Sequence, residues 1–145
     1  AIKHDVRLRL DLGDVPALLL DDKEIRQVIY NLIRNGLEAT PPGSTMTIRT
    51  FSDSEAVVLS VKDQGAGIEP EILDKIGTPF FTTKDYGTGL GLAVCYSIAT
   101  RHNATIKIET NSSGTTFYVK FYYFFTASNN INTEIFICQE KISTQ

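Results

Sequence analysis

The chain has 145 residues, 42% of them hydrophobic, and a net charge of −3 at neutral pH. That size and composition suit one globular domain whose core needs no metal or disulfide staple. The mild negative balance gives no electrostatic basis for a nucleic acid or an anionic membrane as partner.

Cys95 and Cys138 show no CxxC spacing, and with only two histidines in the chain the pattern argues against a zinc site. Cys95 falls in an apolar helical stretch and reads as a small buried thiol. Such cysteine usage suits a reducing cytoplasm. No window reaches the apolar length of a bilayer span, and no signal-peptide pattern opens the chain. The chain opens abruptly inside what reads as a strand and is expected to be a piece of something longer.

In chain order, Val6, Leu8, Leu10 and Leu12 alternate with Arg7, Arg9 and Asp11, which predicts a half-buried strand. Residues 13–16 turn the chain, and Leu18-Leu19-Leu20 predicts a second short strand. Asp21 with Glu24 reads as a capping box opening a helix to about Ala39. Ile25, Val28, Ile29, Leu32, Ile33 and Leu37 form its apolar face. Thr45–Phe51 and Ala56–Lys62 predict a hairpin. A mostly irregular stretch over 68–88 follows, with one short helix from Pro70 to Lys75. Leu90–His102 predicts a second long helix, and Thr105–Thr110 and Thr115–Phe124 a second hairpin. Paired strands with helices on one face predict an α+β fold, a two-layer α/β sandwich with a mixed, mostly antiparallel sheet.

Four constellations carry chemistry. Asn31, Asn35 and Glu38 share one helix face with Arg34 beside them. Amides are poor helix formers, so the face is either solvated or built for a hard cation such as magnesium, which takes amide, carboxylate and phosphate oxygens. Asp63-Gln64-Gly65-Ala66-Gly67 ends a strand. It is either a plain turn or a place where a ligand nears the backbone and Asp63 accepts from an exocyclic amine. Gly87-Thr88-Gly89-Leu90-Gly91-Leu92 enters a helix and can cradle phosphate with free N–H groups. It is not a Walker loop, since no Gly-Lys-Ser/Thr follows. Thr78 to Lys84, with Phe80 and Phe81, is either a satellite core or the anchor of a moving lid.

Taken together and in this order, the four resemble the N box, first glycine box, phenylalanine box and second glycine box of the histidine kinase, gyrase, Hsp90 and MutL superfamily. The phenylalanine box and the Gly-Thr-Gly-Leu-Gly-Leu string are similar to bacterial sensor histidine kinases. Phe80-Phe81-Thr82-Thr83-Lys84 resembles the nitrogen-regulatory and sporulation types. The likeness covers about residues 1–121, an ATP-binding catalytic domain. Residues 122–145 form an extension that the pattern leaves open as strand, docking segment or disordered tail.

The resemblance implies a Bergerat-type fold with a long ATP lid, and ATP and Mg²⁺ as ligands. It gives Asn35 the metal, with Asn31 beside it as ligand or water positioner. Asp63 would accept the adenine amine, Gly65 and Gly67 would admit the base, and Thr115 would support its pocket. Gly87, Thr88, Gly89, Leu90 and Gly91 would hold phosphates. Arg34 and Lys84 would contact them, with Asn31 and Lys84 nearest the transferred group. The implied reaction is phosphoryl transfer to a histidine on a separate dimerisation domain, with a response regulator acting downstream. The implied place is the cytoplasm, with anchoring of a parent protein in the inner membrane left open.

Neither His4 nor His102 has the helical context of a phosphoacceptor. His102 ends a helix, where an imidazolium suits the dipole. Gly36 stands where the family usually has alanine, at a cost of about 1 kcal/mol in helix propensity. The superfamily's hydrolytic ATPases place a glutamate base where this chain has Asn31, an amide that takes no proton at neutral pH. An anti-sigma-type serine kinase or regulator is the remaining alternative.

Overall fold

The computed structural model describes residues 5–75, 90–123 and 130–143. In chain order the elements are β1 (Arg7–Leu12), α1 (Asp22–Ala39), β2 (Thr45–Ser52), β3 (Ala56–Lys62), α2 (Pro70–Leu73), α3 (Leu90–Arg101), β4 (Ala104–Asn111), β5 (Gly114–Tyr122) and α4 (Ile131–Ser143). The strands form one sheet in the order β1-β2-β3-β5-β4. β1 runs parallel to β2, and every other pair is antiparallel. A parallel pair needs a crossover, and α1 supplies it. The mixed, mostly antiparallel sheet under helices is the sandwich that the strand pattern predicts.

Alternation along each strand sorts the two faces. Leu10, Ile48, Val61, Phe117 and Ile108 lie in one cross-strand row, and Leu12, Thr50, Leu59, Val119 and Ile106 in the next. The helices cover this face. From α1 come the six apolar residues of the predicted stripe, all buried, from α3 Cys95 and Ile98, and from α4 Ile131, Ile135, Cys138 and Ile142. Each buried Ile or Leu contributes about 1.5–3 kcal/mol. α1 packs between α3 and α4, so the helix carrying Asn31 and Asn35 is held on both flanks and from below.

Three expectations change. Leu18-Leu19-Leu20 is not a strand: the backbone makes an isolated bridge at Leu18 only. Its side chains hold it instead, with Leu18 and Leu20 buried and Leu19 49% exposed. The capping box is only half made. Asp21 Oδ1 accepts from Glu24 N at 3.1 Å. The Asp21 N–H, however, donates to His102 Nε2 at 3.0 Å, and the Glu24 carboxylate pairs with Arg101. The end of α3 thus closes the start of α1. His102 Nδ1 lies 2.8 Å from the Ile98 carbonyl. With Nε2 accepting from Asp21, Nδ1 is placed to donate to that carbonyl.

The third change is the extension. Residues 131–143 form a helix, because Ile131, Ile135, Cys138 and Ile142 recur at helical spacing and bury against α1. Polar bonds fix its start. Asn132 accepts from Thr50 Oγ1 at 2.7 Å and donates to the Gly13 carbonyl at 2.8 Å, and Asn130 donates to the Val15 carbonyl at 2.9 Å. Glu134 is buried, with Arg26 Nε at 3.4 Å. Burial pushes its carboxyl above the usual range, Arg26 opposes that, and Asp22 adds to it.

Candidate functional site

The C-terminal half of α1, the end of β3 and the first turn of α3 converge. Asn31 is half-buried and joins two helices. Its Oδ1 accepts from Gln27 Nε2 at 3.1 Å, and its Nδ2 donates to the Gly91 carbonyl at 3.2 Å. A Cβ on Gly91 would sit 3.9 Å from Asn31 Cγ, so α3 starts directly against the amide. Asn35 is half-buried one turn on, and Glu38 is exposed beyond it. Arg34 is exposed and lies back over the Tyr30 ring, 5.7 Å from its centroid. Cys95 beneath is buried; desolvation pushes its thiol up to about 12 against an opposing hydrogen bond from Asn31, so it is no nucleophile at neutral pH.

The other end is built on backbone. Asp63, 6% exposed, follows the last residue of β3. Its Oδ1 accepts from Gly65 N at 2.9 Å and from Thr115 N at 3.1 Å, and its own N–H donates to the Thr115 carbonyl at 2.9 Å. The Thr115 hydroxyl pairs with that of Thr110 at 2.8 Å, and Thr110 Oγ1 also accepts from Ile68 N at 2.9 Å. Gln64 Oε1 accepts from Thr45 N at 2.6 Å. Asp63, the glycine loop and the β4–β5 turn are therefore one hydrogen-bonded unit.

Two glycines are fixed by protein contacts before any ligand is considered. A Cβ on Gly65 would meet the Ala39 carbonyl oxygen at 2.7 Å, where the loop presses on the end of α1. Gly67 has φ +91°, and a side chain there would strike the Asn111 carbonyl. Gly36 lets α1 approach the loop: its Cβ position lies 3.6 Å from Asp63 Cβ.

The structure thus gathers Asn31, Asn35, Asp63, Gly65, Gly67, Gly91 and Thr115. Lys84, Gly87, Thr88 and Gly89 lie outside the described residues, as do Phe80, Phe81, His4 and most of the predicted lid. Leu90 contributes the first residue of α3. Sequence reasoning missed Thr110 and Gln27. Thr110 had a signal, since it faces Thr115 across a predicted hairpin. Gln27 had one too, four residues before Asn31 on the same helix. Among the described residues no group of three or more His, Cys, Asp or Glu can hold a metal ion.

The family described as "Histidine kinase-, DNA gyrase B-, and HSP90-like ATPase" matches residues 20–123. Sporulation kinase C of Bacillus subtilis (strain 168) is 45% identical over 92 residues, covering 63% of this chain and 22% of the relative. Sensor histidine kinase ZraS of Escherichia coli (strain K12) is 36% identical over 119 residues, covering 81% of this chain and 26% of the relative. The chain therefore spans about a quarter or less of these relatives' lengths. Among solved structures, the catalytic domain of histidine kinase ThkA superposes with a TM-score of 0.74 at 32% identity, covering 81% of this chain and 79% of that one.

Proposed function

We propose, on the premise that this chain belongs to the histidine kinase-, DNA gyrase B- and HSP90-like ATPase family and within it to the histidine kinase catalytic domains, that it binds Mg-ATP and presents the γ-phosphate to a histidine on a separate dimerisation domain. The observation that carries the reading is Asp63. A buried carboxylate whose Oδ1 is taken by two backbone N–H groups keeps Oδ2 for an outside donor, and the exocyclic amine of adenine fits it. Guanine offers a carbonyl at that place and would face like partial charge.

At the other end, Asn35 and then Asn31 are the residues to hold magnesium, whose charge would neutralise the phosphates. The oxygen-rich, amide-based donor set fits that hard cation. Gly91 and the start of α3 offer the positive end of a helix dipole to the phosphates. Gly87, Thr88, Gly89 and Lys84 are proposed to complete that end, and Arg34 to reach it by leaving Tyr30. Transfer then depends on position and charge: the acceptor imidazole attacks phosphorus in line, and ADP leaves. Asn31 cannot act as a base toward water, and its amide already bonds Gln27 and Gly91, which disfavours hydrolysis.

The partners proposed are the protein's own dimerisation and phosphoacceptor domain and, through it, a response regulator. The place proposed is the cytoplasm. Among the described residues no helix is long and apolar enough to cross a membrane. Calorimetric titration with ATP and GTP in the presence of Mg²⁺ tests the reading. Preferred ATP binding is expected, and equal affinity for both nucleotides would remove Asp63 from its role.

A further inference from the structure

The face of the sheet opposite the helices carries exposed charged side chains around a buried Ser60, and it differs in charge from the rest of the molecule. Register places Arg9, Thr47, Lys62, Thr116 and Glu109 in one cross-strand row, and Asp11, Arg49, Ser60, Tyr118 and Lys107 in the next. Arg7 begins the row before them. Five cations (Arg7, Arg9, Arg49, Lys62 and Lys107) thus share this face with two carboxylates, Asp11 and Glu109. The whole chain carries −3, so the face has the opposite sign to the molecule. Arg49 pairs with Asp11 at 3.3 Å. Lys120, further along, is taken up by Asp53 and Glu55. Arg9 and Lys62 have no carboxylate partner among the described residues.

Arg7 and Lys107 likewise have no carboxylate partner among the described residues, and of these four cations Arg9 and Lys62 stand two strands apart, ~10 Å across the sheet. Between and around them lies a shallow concavity of about 440 Å³. Its floor is Thr47, Ser60 and Thr116, small polar residues, with Tyr118 at one side. Small hydroxyls under long cations leave room for carboxylates to descend between Arg9 and Lys62 and still find donors.

We propose that this open face docks an acidic surface of a folded protein partner. Charge complementarity selects that occupant. A second copy packed face to face would bring the same basic face, and like charges in register repel, while a head-to-tail copy would show itself as self-association of the free chain in the titration below. Duplex DNA needs a row of cations free of carboxylates, on a body that does not repel it overall. Here Asp11 and Glu109 interrupt the face, and the molecule is acidic. The concavity opens on the other face of the sheet from the nucleotide pocket, with the β4–β5 turn at Asn111 to Gly114 bordering both, and the proposal stands whether or not the ATP reading holds.

The test uses the ¹⁵N-labelled chain, titrated at low salt with short poly-L-glutamate and, separately, with a short DNA duplex at matched charge. Saturable amide shifts are expected at Arg9, Thr47, Lys62 and Thr116 with poly-L-glutamate, and weaker ones with DNA. Arg9→Glu with Lys62→Glu should weaken the peptide about tenfold or more while Mg-ATP affinity stays unchanged. Arg9→Gln with Lys62→Gln serves as the milder pair if the double reversal does not fold. Three outcomes would overturn the proposal: no saturable shift, shifts spread over every exposed Lys and Arg, or DNA binding as tightly as poly-L-glutamate.

Discussion

The two ends of the candidate pocket are built from different materials. At Asp63 the carboxylate is buried and bonded to Gly65 N and Thr115 N, and the Thr110–Thr115 hydroxyl pair locks the loop behind it. At α1 the groups are half-buried amide side chains, and Asn31 is already satisfied by Gln27 and Gly91. On the proposed reading, the end assigned to the base is preorganised by backbone and would select without reorganisation on binding. The end assigned to the phosphates would have to exchange internal bonds for ligand bonds, so it would respond to what arrives.

Substitutions can break or sharpen that contrast. Asn35→Ala should have the largest effect, lowering Mg-ATP affinity by ~100-fold, about 2.7 kcal/mol, with little change for ATP in EDTA. Unchanged Mg-ATP affinity by calorimetry would remove the metal role. Asp63→Asn should come next. The Asn oxygen still accepts from Gly65 and Thr115, so the fold should survive. The lost charged acceptor should cost ATP about 1.5–3 kcal/mol and narrow the preference over GTP. An unaltered ATP:GTP ratio would show that the base is read elsewhere.

Asn31→Ala should divide its effect between the two links. Loss of the α1–α3 bond should lower stability by about 1 kcal/mol, with a smaller loss of nucleotide affinity. If denaturant midpoints do not move, the Gly91 link holds nothing. Thr110→Val keeps shape and removes one hydroxyl. It should cost about 1 kcal/mol of stability and alter nucleotide affinity only a few-fold.

The smallest expected effect lies away from both ends, at Glu134. Its carboxyl is held above the usual range, so the folded chain keeps a proton there at a pH where the unfolded chain has lost it. That contribution to stability is complete below the ordinary carboxylate value and is lost as pH rises through the folded one. Glu134→Gln should flatten this slope and raise the melting temperature slightly at neutral pH relative to the parent. A variant with the same pH slope as the parent would clear Glu134 of it.

Much of this was legible from sequence because the signals were local. The period of Ile25 to Leu37 placed α1, and alternation from Thr45 to Lys62 placed the hairpin. Asn31, Asn35, Asp63 and the glycines sat at recognisable spacings. What was hidden depends on residues far apart in the chain. That His102 closes the start of α1 follows from α3 packing beside it, and no local pattern shows a partner 81 positions away. The Leu18–Leu20 run looked like a strand because a short apolar run reads the same whether or not a ladder is free to receive it. The last helix lies in the extension left open between strand, docking segment and disordered tail, where Ile131, Ile135, Cys138 and Ile142 carry the helical period.

One contact beneath the pocket has a consequence for how such sequences vary. A methyl group at Gly36 would fall 2.5 Å from Met46 Cε and 3.0 Å from its sulfur. The chain's single methionine, fully buried, therefore fills the volume that an alanine at 36 would claim. The two positions are sterically coupled: alanine at 36 fits once 46 is shortened, and the helix that carries the amides then keeps its height above the sheet.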